Sequence, residues 1–297
     1  MGHVNRCAAI LRKLKDKRVL AIASTPQIFP LLNENIPYIN LAGLNSSDVY
    51  KHIRWLVLNY DPKVIIMDTF PHGLVGEMEE ILKESNGKKI LISRHVKQEV
   101  TLAWQEIVNK FNLVISVEKP LQYKYANYEE IEPVLLRDAN ELLSAVEVRK
   151  ILSVNNKIPV IAAVSTGDFA WEANFFNLFL DIWLKYKDIF QPILISPNIQ
   201  EQATYPLIEL LPGIDIVIGA AGYNLFYEVK ATKRQGIFMP QPKRYDDQHW
   251  RARKSPTPQT TEELENMILS TCSQLHNHEI KYINGAIKAA ELIRKFI

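Results

Sequence analysis

With 297 residues, 47% of them hydrophobic and 23% charged, the chain is globular and long enough for two domains. A formal charge of +2 is too small for a dedicated nucleic-acid binder, and two cysteines, Cys7 and Cys272, signal neither a disulfide framework nor a cysteine-rich metal site. No apolar run reaches the length of a membrane span. The N-terminal stretch is basic and amphipathic rather than continuously apolar, so no cleavable signal peptide is evident and the cytoplasm is the expected compartment.

The first element is a helix with Val4, Cys7 or Ala8, Leu11 and Leu14 on one face and Arg6, Arg12, Lys13, Lys15 and Lys17 mostly elsewhere. Its basic side is a solvated face, or at most a peripheral contact with an anionic membrane. Short runs rich in Val and Ile predict strands at 19–24, 64–68, 89–93 and 113–118, with helices at 47–58, 74–85 and 99–110. After Glu118 the pattern lapses into a Tyr-rich stretch, Lys119-Pro120-Leu121-Gln122-Tyr123-Lys124-Tyr125-Ala126-Asn127-Tyr128, and the domain boundary is expected at 121–130. That gives a first domain at 1–125 and a second at 126–297. In the second, a helix at 140–152 carries Ser144 and Glu147 at capping-box spacing. Strands follow at 159–165, 192–196, 214–218 and 237–240, with helices at 171–186, 223–232 and 281–296. Strands apolar on both faces, alternating with helices, argue for α/β architecture with two Rossmann-like, doubly wound parallel sheets.

The richest stretch is 213–252. An apolar strand runs into Gly219-Ala220-Ala221-Gly222, and the helix that starts Tyr223-Asn224 carries Glu228. A second strand covers 236–240, and Asp247 and Gln248 open another helix. Small residues between strand and helix let a ligand approach the backbone, and the N–H groups of a helix N-terminus favour an anion. A carboxylate about a turn and a half into the helix suits two vicinal ribose hydroxyls. Together these outline a nucleoside-diphosphate site.

Taken in order over about forty residues, these pieces resemble the donor-binding half of the GT-B glycosyltransferases, in particular that of the peptidoglycan N-acetylglucosaminyltransferase and related enzymes. The resemblance implies that Glu228 binds ribose, that the loop at Gly222 with Tyr223 and Asn224 faces the phosphates, and that Asp247 and Gln248 hold the sugar. It also places Ser165, Thr166 and Gly167 under the diphosphate, although relatives have a richer glycine run there. Ser196-Pro197-Asn198 would line the base pocket, and the last helix would pack back onto the first domain. The implied donor is a UDP-sugar, with N-acetylglucosamine the foremost sugar. No cofactor or catalytic metal is expected, because helix dipoles and backbone donors meet the charge of the leaving diphosphate.

Gly2-His3-Val4-Asn5-Arg6-Cys7 resembles the G-H-V or G-H-x-x-R segment of such enzymes, where it follows a first strand and a glycine-rich loop. The N-terminal strand is therefore expected to be missing here: either the start is assigned too late or the first sheet has lost a central strand. His3 is the natural candidate base for taking a proton from an acceptor hydroxyl. Arg6 could reach a phosphate or a carboxylate. Asp68-Thr69-Phe70-Pro71-His72-Gly73 closes the strand at 64–68, where ligands of open α/β sheets gather, and resembles a D-x-F-P-x-G turn of related predicted glycosyltransferases. Asp68 is the second candidate base, and Ser93-Arg94-His95 ends the next strand in the same way. Lys230, Lys233, Arg234, Lys243, Arg244, Arg251, Arg253 and Lys254 make the donor region basic, which suits a diphosphate or an anionic lipid, or is simply solvated surface.

The expectation is metal-independent, inverting transfer from a UDP-sugar to an acceptor that the sequence leaves open, a lipid-linked one included. Two alternatives stand beside it. A nucleotide-sugar hydrolase of the pseudaminic-acid pathway has a similar G-H-V-x-R-C start, and a non-catalytic nucleotide-binding relative would account for the sparse glycines.

Overall fold

In the computed structural model, all residues are described except 1, 74–75, 156, 166–168, 197–205 and 276–278. The chain forms two compact units, Met1–Leu136 with Asn284–Ile297, and Arg137–Ile283. In chain order the first contains α1 (Gly2–Leu11), β1 (Ala21–Ala23), α2 (Phe29–Asn33), β2 (Tyr38–Asn40), α3 (Ser46–Tyr60), β3 (Val64–Asp68), α4 (Met78–Glu84), β4 (Lys88–Ser93), α5 (Gln98–Val108), β5 (Leu113–Ser116) and β6 (Tyr128–Glu130). The second contains α6 (Ala145–Ile151), β7 (Val160–Val164), α7 (Phe169–Lys185), β8 (Gln191–Ile195), β9 (Ile216–Gly219), α8 (Tyr223–Ala231), β10 (Gln235–Phe238), α9 (Gln248–Ala252) and α10 (Thr261–Cys272). Finally α11 (Gly285–Arg294) belongs to the first unit.

Every strand pair is parallel. In the first unit the order is β3-β4-β5-β6, with β1 and β2 forming a separate two-stranded sheet. Among the described residues neither β1 nor β3 has a strand partner on its other edge, and Ile22 of β1 remains 41% exposed. One face of the main sheet, through Met67, Leu91 and Val114, packs on Val49, Ile53 and Val57 of α3, Ile81 and Leu82 of α4, and Ile107 of α5. Helix α3 starts on an Asn45 cap that accepts from the Asp48 N–H at 3.0 Å and ends on Asp61 in the left-handed region, φ 40°.

The unit boundary lies beyond the Tyr-rich stretch. Residues 126–136 stay with the first unit because β6 pairs with β5 and because Ile131, Val134, Leu135 and Leu136 are buried. Tyr128-Glu129-Glu130 is an exposed edge strand with two acids, which reads as a loop in sequence. Helices α1 and α11 pack together through small, fully buried residues, Ala8 and Ala9 on one and Ala286, Ala289 and Ala290 on the other.

The second unit has the order β10-β9-β7-β8. Its β7, Val-Ile-Ala-Ala-Val, is buried on both faces. Val160, Ala162 and Val164 join the core formed with Val148 of α6 and Leu225, Phe226 and Val229 of α8. Ile161 and Ala163 join the one formed with Phe175, Phe176, Phe179 and Ile182 of α7 and Leu264 and Ile268 of α10. Helices therefore cover both sides of the sheet, as near-continuous apolar strands require. The capping box is present, with Glu147 accepting from the Ser144 N–H at 2.9 Å and Ser144 Oγ accepting from the Glu147 N–H at 3.3 Å.

Asn284 ties α11 into the first unit. Its side chain caps the Ala286 N–H at 3.0 Å while bonding both Leu135 N–H, at 3.0 Å, and Leu135 C=O, at 2.8 Å, and it is buried. Asn284→Ala would leave these backbone groups unsatisfied in the interior. Urea unfolding should show a loss of about 2–4 kcal/mol, against well under 1 kcal/mol for Ala at the exposed Lys288.

Candidate active site

The C-terminal end of β3 carries a buried charged cluster. Arg6, one turn along α1 from His3, grips Asp68 side-on: its Nε donates to Oδ1 at 2.8 Å and its Nη2 to Oδ2 at 2.6 Å. The same Nη2 donates to Thr69 Oγ1 at 3.0 Å. His3 Nδ1 lies 2.5 Å from Asp68 Oδ2. An ionised carboxylate only accepts, so Nδ1 carries the proton and the neutral ring keeps its lone pair on Nε2. Arg6 Nη2 is 3.3 Å from Nδ1 but cannot donate to a nitrogen already committed to Asp68. The side chains of Arg6 and Asp68 are 1% and 7% exposed, whereas His3 keeps 37%.

Packing holds the ring. Phe70 lies 4.9 Å from His3 centroid to centroid and is itself met edge-on by Trp104 at 5.6 Å. Thr69, between Asp68 and Phe70, sits at φ 68°, strained ground for a β-branched residue, and is pinned by its N–H to Ile92 C=O at 2.8 Å. Burial lowers the His3 pKa below the usual imidazole value, with Asp68 opposing and Arg6 and Arg94 adding to it. Burial alone would raise Asp68, but the Arg6 charge and His3 outweigh it and hold the carboxyl well below the usual range. Asp68 is thus a poor proton acceptor, and His3 is the group at this site able to take a proton. The Cys7 thiol beside them is pushed up to about 12, chiefly by burial.

The second unit presents a different carboxylate. Strand β9 ends at Gly219, where an added Cβ would meet Val164 C=O at 2.6 Å, so this glycine serves close packing. Gly222 caps α8 at φ −65° without a side-chain hydrogen bond, and no atom lies within 4 Å of where its Cβ would stand. The first N–H groups of α8 therefore have no side-chain cap from Gly222. Glu228, buried at 4% exposure, has no hydrogen-bonding partner for its carboxylate among the described residues, and burial raises its pKa to about 8.

Next to this helix, Asp247 caps α9 by accepting from the Trp250 N–H at 2.9 Å. Gln248 is buried and accepts from the Gln241 N–H at 2.9 Å. Arg251 is the residue that joins α9 to the glycine loop. Its Nη1 donates to Ala221 C=O at 2.7 Å and its Nη2 to Asp246 at 2.9 Å, with a fully buried side chain.

No protein-family model matches the sequence, and no curated protein sequence matches it. Solved structures do. The glycotransferase of kitacinnamycin aligns with a TM-score of 0.67 at 13% identity, covering 99% of this chain and 96% of that one. SsfS6 of Streptomyces sp. SF2575, complexed with thymidine diphosphate, gives 0.62 at 13% identity, covering 99% and 96%. Anabaena Alr3699/HepE in complex with UDP gives 0.59 at 13% identity, covering 99% and 92%. The chain has the GT-B fold.

Within that fold the two candidate bases, His3 and Asp68, are brought into one hydrogen-bonded pair. The carboxylate that Arg6 reaches is Asp68 itself. Tyr223 is buried with its ring 4.9 Å from Tyr227, and Asn224 is half-buried at the start of α8. Ser165 is buried at the end of β7 with its N–H on Ile195 C=O at 2.9 Å, whereas Thr166, Gly167, Pro197 and Asn198 lie outside the described residues. The basic run is largely engaged within the protein: besides Arg251, Arg234 donates to Thr232 C=O at 2.9 Å, and Lys230, Arg244 and Arg253 lie over the rings of Phe226, Tyr245 and Trp250. The role of Arg251 had one sequence signal, an Asp five residues earlier across a helix start.

Because the folded chain holds the Glu228 proton more tightly than the unfolded one, stability falls as pH rises from about 4.5 to about 8. Glu228→Gln removes that dependence. Thermal unfolding at pH 5 and pH 8 should show the variant gaining on wild type by on the order of 3 kcal/mol across that interval.

Proposed function

We propose that the protein is a glycosyltransferase that moves a sugar from a nucleoside diphosphate, UDP in the first instance, to an acceptor hydroxyl with inversion and without a catalytic metal. The observation that carries this reading is Glu228, a buried carboxylate without a partner among the described residues, on the helix that follows the Gly219–Gly222 loop. Such a group is costly to bury unless a ligand supplies donors, and the two vicinal hydroxyls of a ribose do so. The α8 N-terminus is the anion site for the diphosphate, and Asp247 and Gln248 contact the sugar. Neighbours of the same fold that hold UDP and thymidine diphosphate support the ligand class.

His3 is the base. The acceptor oxygen attacks the anomeric carbon, the bond from that carbon to the diphosphate oxygen breaks, and its electron pair leaves with the nucleotide. The acceptor proton passes to His3 Nε2, and Asp68 stabilises the imidazolium so formed. Backbone N–H groups that face the developing charge supply the larger part of the effect.

Ribose binding should draw the proton off Glu228, since the bound hydroxyls favour the charged form. Calorimetry at pH 7 in buffers of different ionisation enthalpy should show about one proton released per UDP bound, and none in Glu228→Gln. UDP should also bind more tightly than thymidine diphosphate, whose deoxyribose offers one hydroxyl fewer, and the preference should vanish in Glu228→Gln. Equal binding of the two by wild type would remove the ribose role.

His3→Ala should leave UDP binding unchanged while lowering turnover about 100- to 10,000-fold. Release of free sugar from the UDP-sugar without acceptor, at the same rate as with one, would turn the reading into hydrolysis.

A further inference from the structure

The base reading leaves one question: why a guanidinium sits on the carboxylate that His3 needs. A His–Asp pair by itself raises the imidazole pKa, which at neutral pH fills the lone pair a base must keep free. Here Arg6 occupies both oxygens of Asp68, sharing Oδ2 with His3 and leaving Oδ1 to Arg6. Its own Nη2 is anchored a second time on Thr69 Oγ1, in a turn held at positive φ. We infer that Arg6 is a positioning residue: by fixing the plane of the Asp68 carboxylate and sharing its charge, it keeps one oxygen on the His3 Nδ1 proton and sets the pH above which Nε2 is free to accept.

The groups that act on His3 are few. On its own helix it is Arg6; the neighbouring Cys7 thiol is uncharged at neutral pH. From β3 comes Asp68, and from the end of β4 comes Arg94. Helices α2 and α11 also pack on α1 and contribute no charged group that acts on the ring. Arg6 touches both Asp68 and the imidazole edge. An arginine suits this place better than a lysine, because a planar fork holds two carboxylate oxygens at once.

The inference rests on His3 as the base, but its test does not. Nitrogen-edited NMR of the ligand-free protein, with His3 assigned by its loss in His3→Gln, reads both the tautomer and the titration. Wild type should show the Nδ1–H form and a midpoint below that of an exposed histidine. Arg6→Met, checked for folding by amide dispersion, should raise the midpoint by one pH unit or more and move the acid limb of kcat/KM upward with it. Arg6→Lys, which keeps the charge and loses the fork, should fall between. A His3 midpoint in folded Arg6→Met equal to wild type overturns the inference. If Arg6→Met does not fold, an unchanged midpoint in Arg6→Lys does the same. Loss of activity in Arg6→Met with the acid limb unmoved marks a merely structural arginine and also overturns it. An active His3→Ala, by contrast, would sink the base reading and leave the titration result standing.

Discussion

A carboxylate buried at the end of a parallel strand cannot stay charged alone, and much of the first unit is arranged around that requirement at Asp68. The answer is Arg6, and because Arg6 stands on α1, neutralising the charge also fixes where α1 lies on β3. Leaving either partner without the other would strand a buried charge, at a cost of several kcal/mol. Helix α1 in turn offers Ala8 and Ala9 to α11, so the return of the C-terminal helix depends on the same placement. His3 lies three residues before Arg6, hence on the same side of the helix, and is carried to the same carboxylate.

Glu228 has the same chemistry and the opposite fate. Among the described residues no cation reaches it, and burial holds its proton on to about pH 8, whereas Asp68 stays ionised far below the usual range. Environment, not residue type, separates them, as it does wherever one protein needs carboxyl groups in two protonation states at once. Asp68 is satisfied within the chain and serves by holding still. Glu228 has no such partner among the described residues, which is what the proposed ribose contact would supply.

Alternation of apolar runs made the α/β class readable because strands such as Val160–Val164 are buried on both faces and leave an unbroken hydrophobic signature. Two of the three-residue strands leave none. Tyr38–Asn40 and Tyr128–Glu130 are strands only because a neighbour offers backbone hydrogen bonds, and the unit boundary moved with the second of them. His3 and Asp68 were each visible as motif residues, but 65 positions separate them, and no local pattern reports a hydrogen bond across that distance. Arg251 was hidden for a different reason. In a run of basic residues, the one that is fully buried looks like its solvated neighbours until Asp246 and Ala221 are seen around it.

The glycines of the Gly219–Gly222 loop separate structural need from open space. At Gly219 a side chain would strike Val164 C=O and Leu225, so packing of β9 on β7 and α8 accounts for it. At Gly222 no such account is available: φ is −65°, which any residue adopts, and the space for a Cβ is open. A cap residue with an oxygen, Ser or Asp, would stabilise α8 by about 0.3 kcal/mol at that position. Its absence leaves the first N–H groups of α8 without a side-chain cap from Gly222. A helix N-terminus without a side-chain cap from its first glycine, on the same helix as a carboxylate with no partner among the described residues, is the combination that the proposed anionic ligand bearing hydroxyls would complete from both ends.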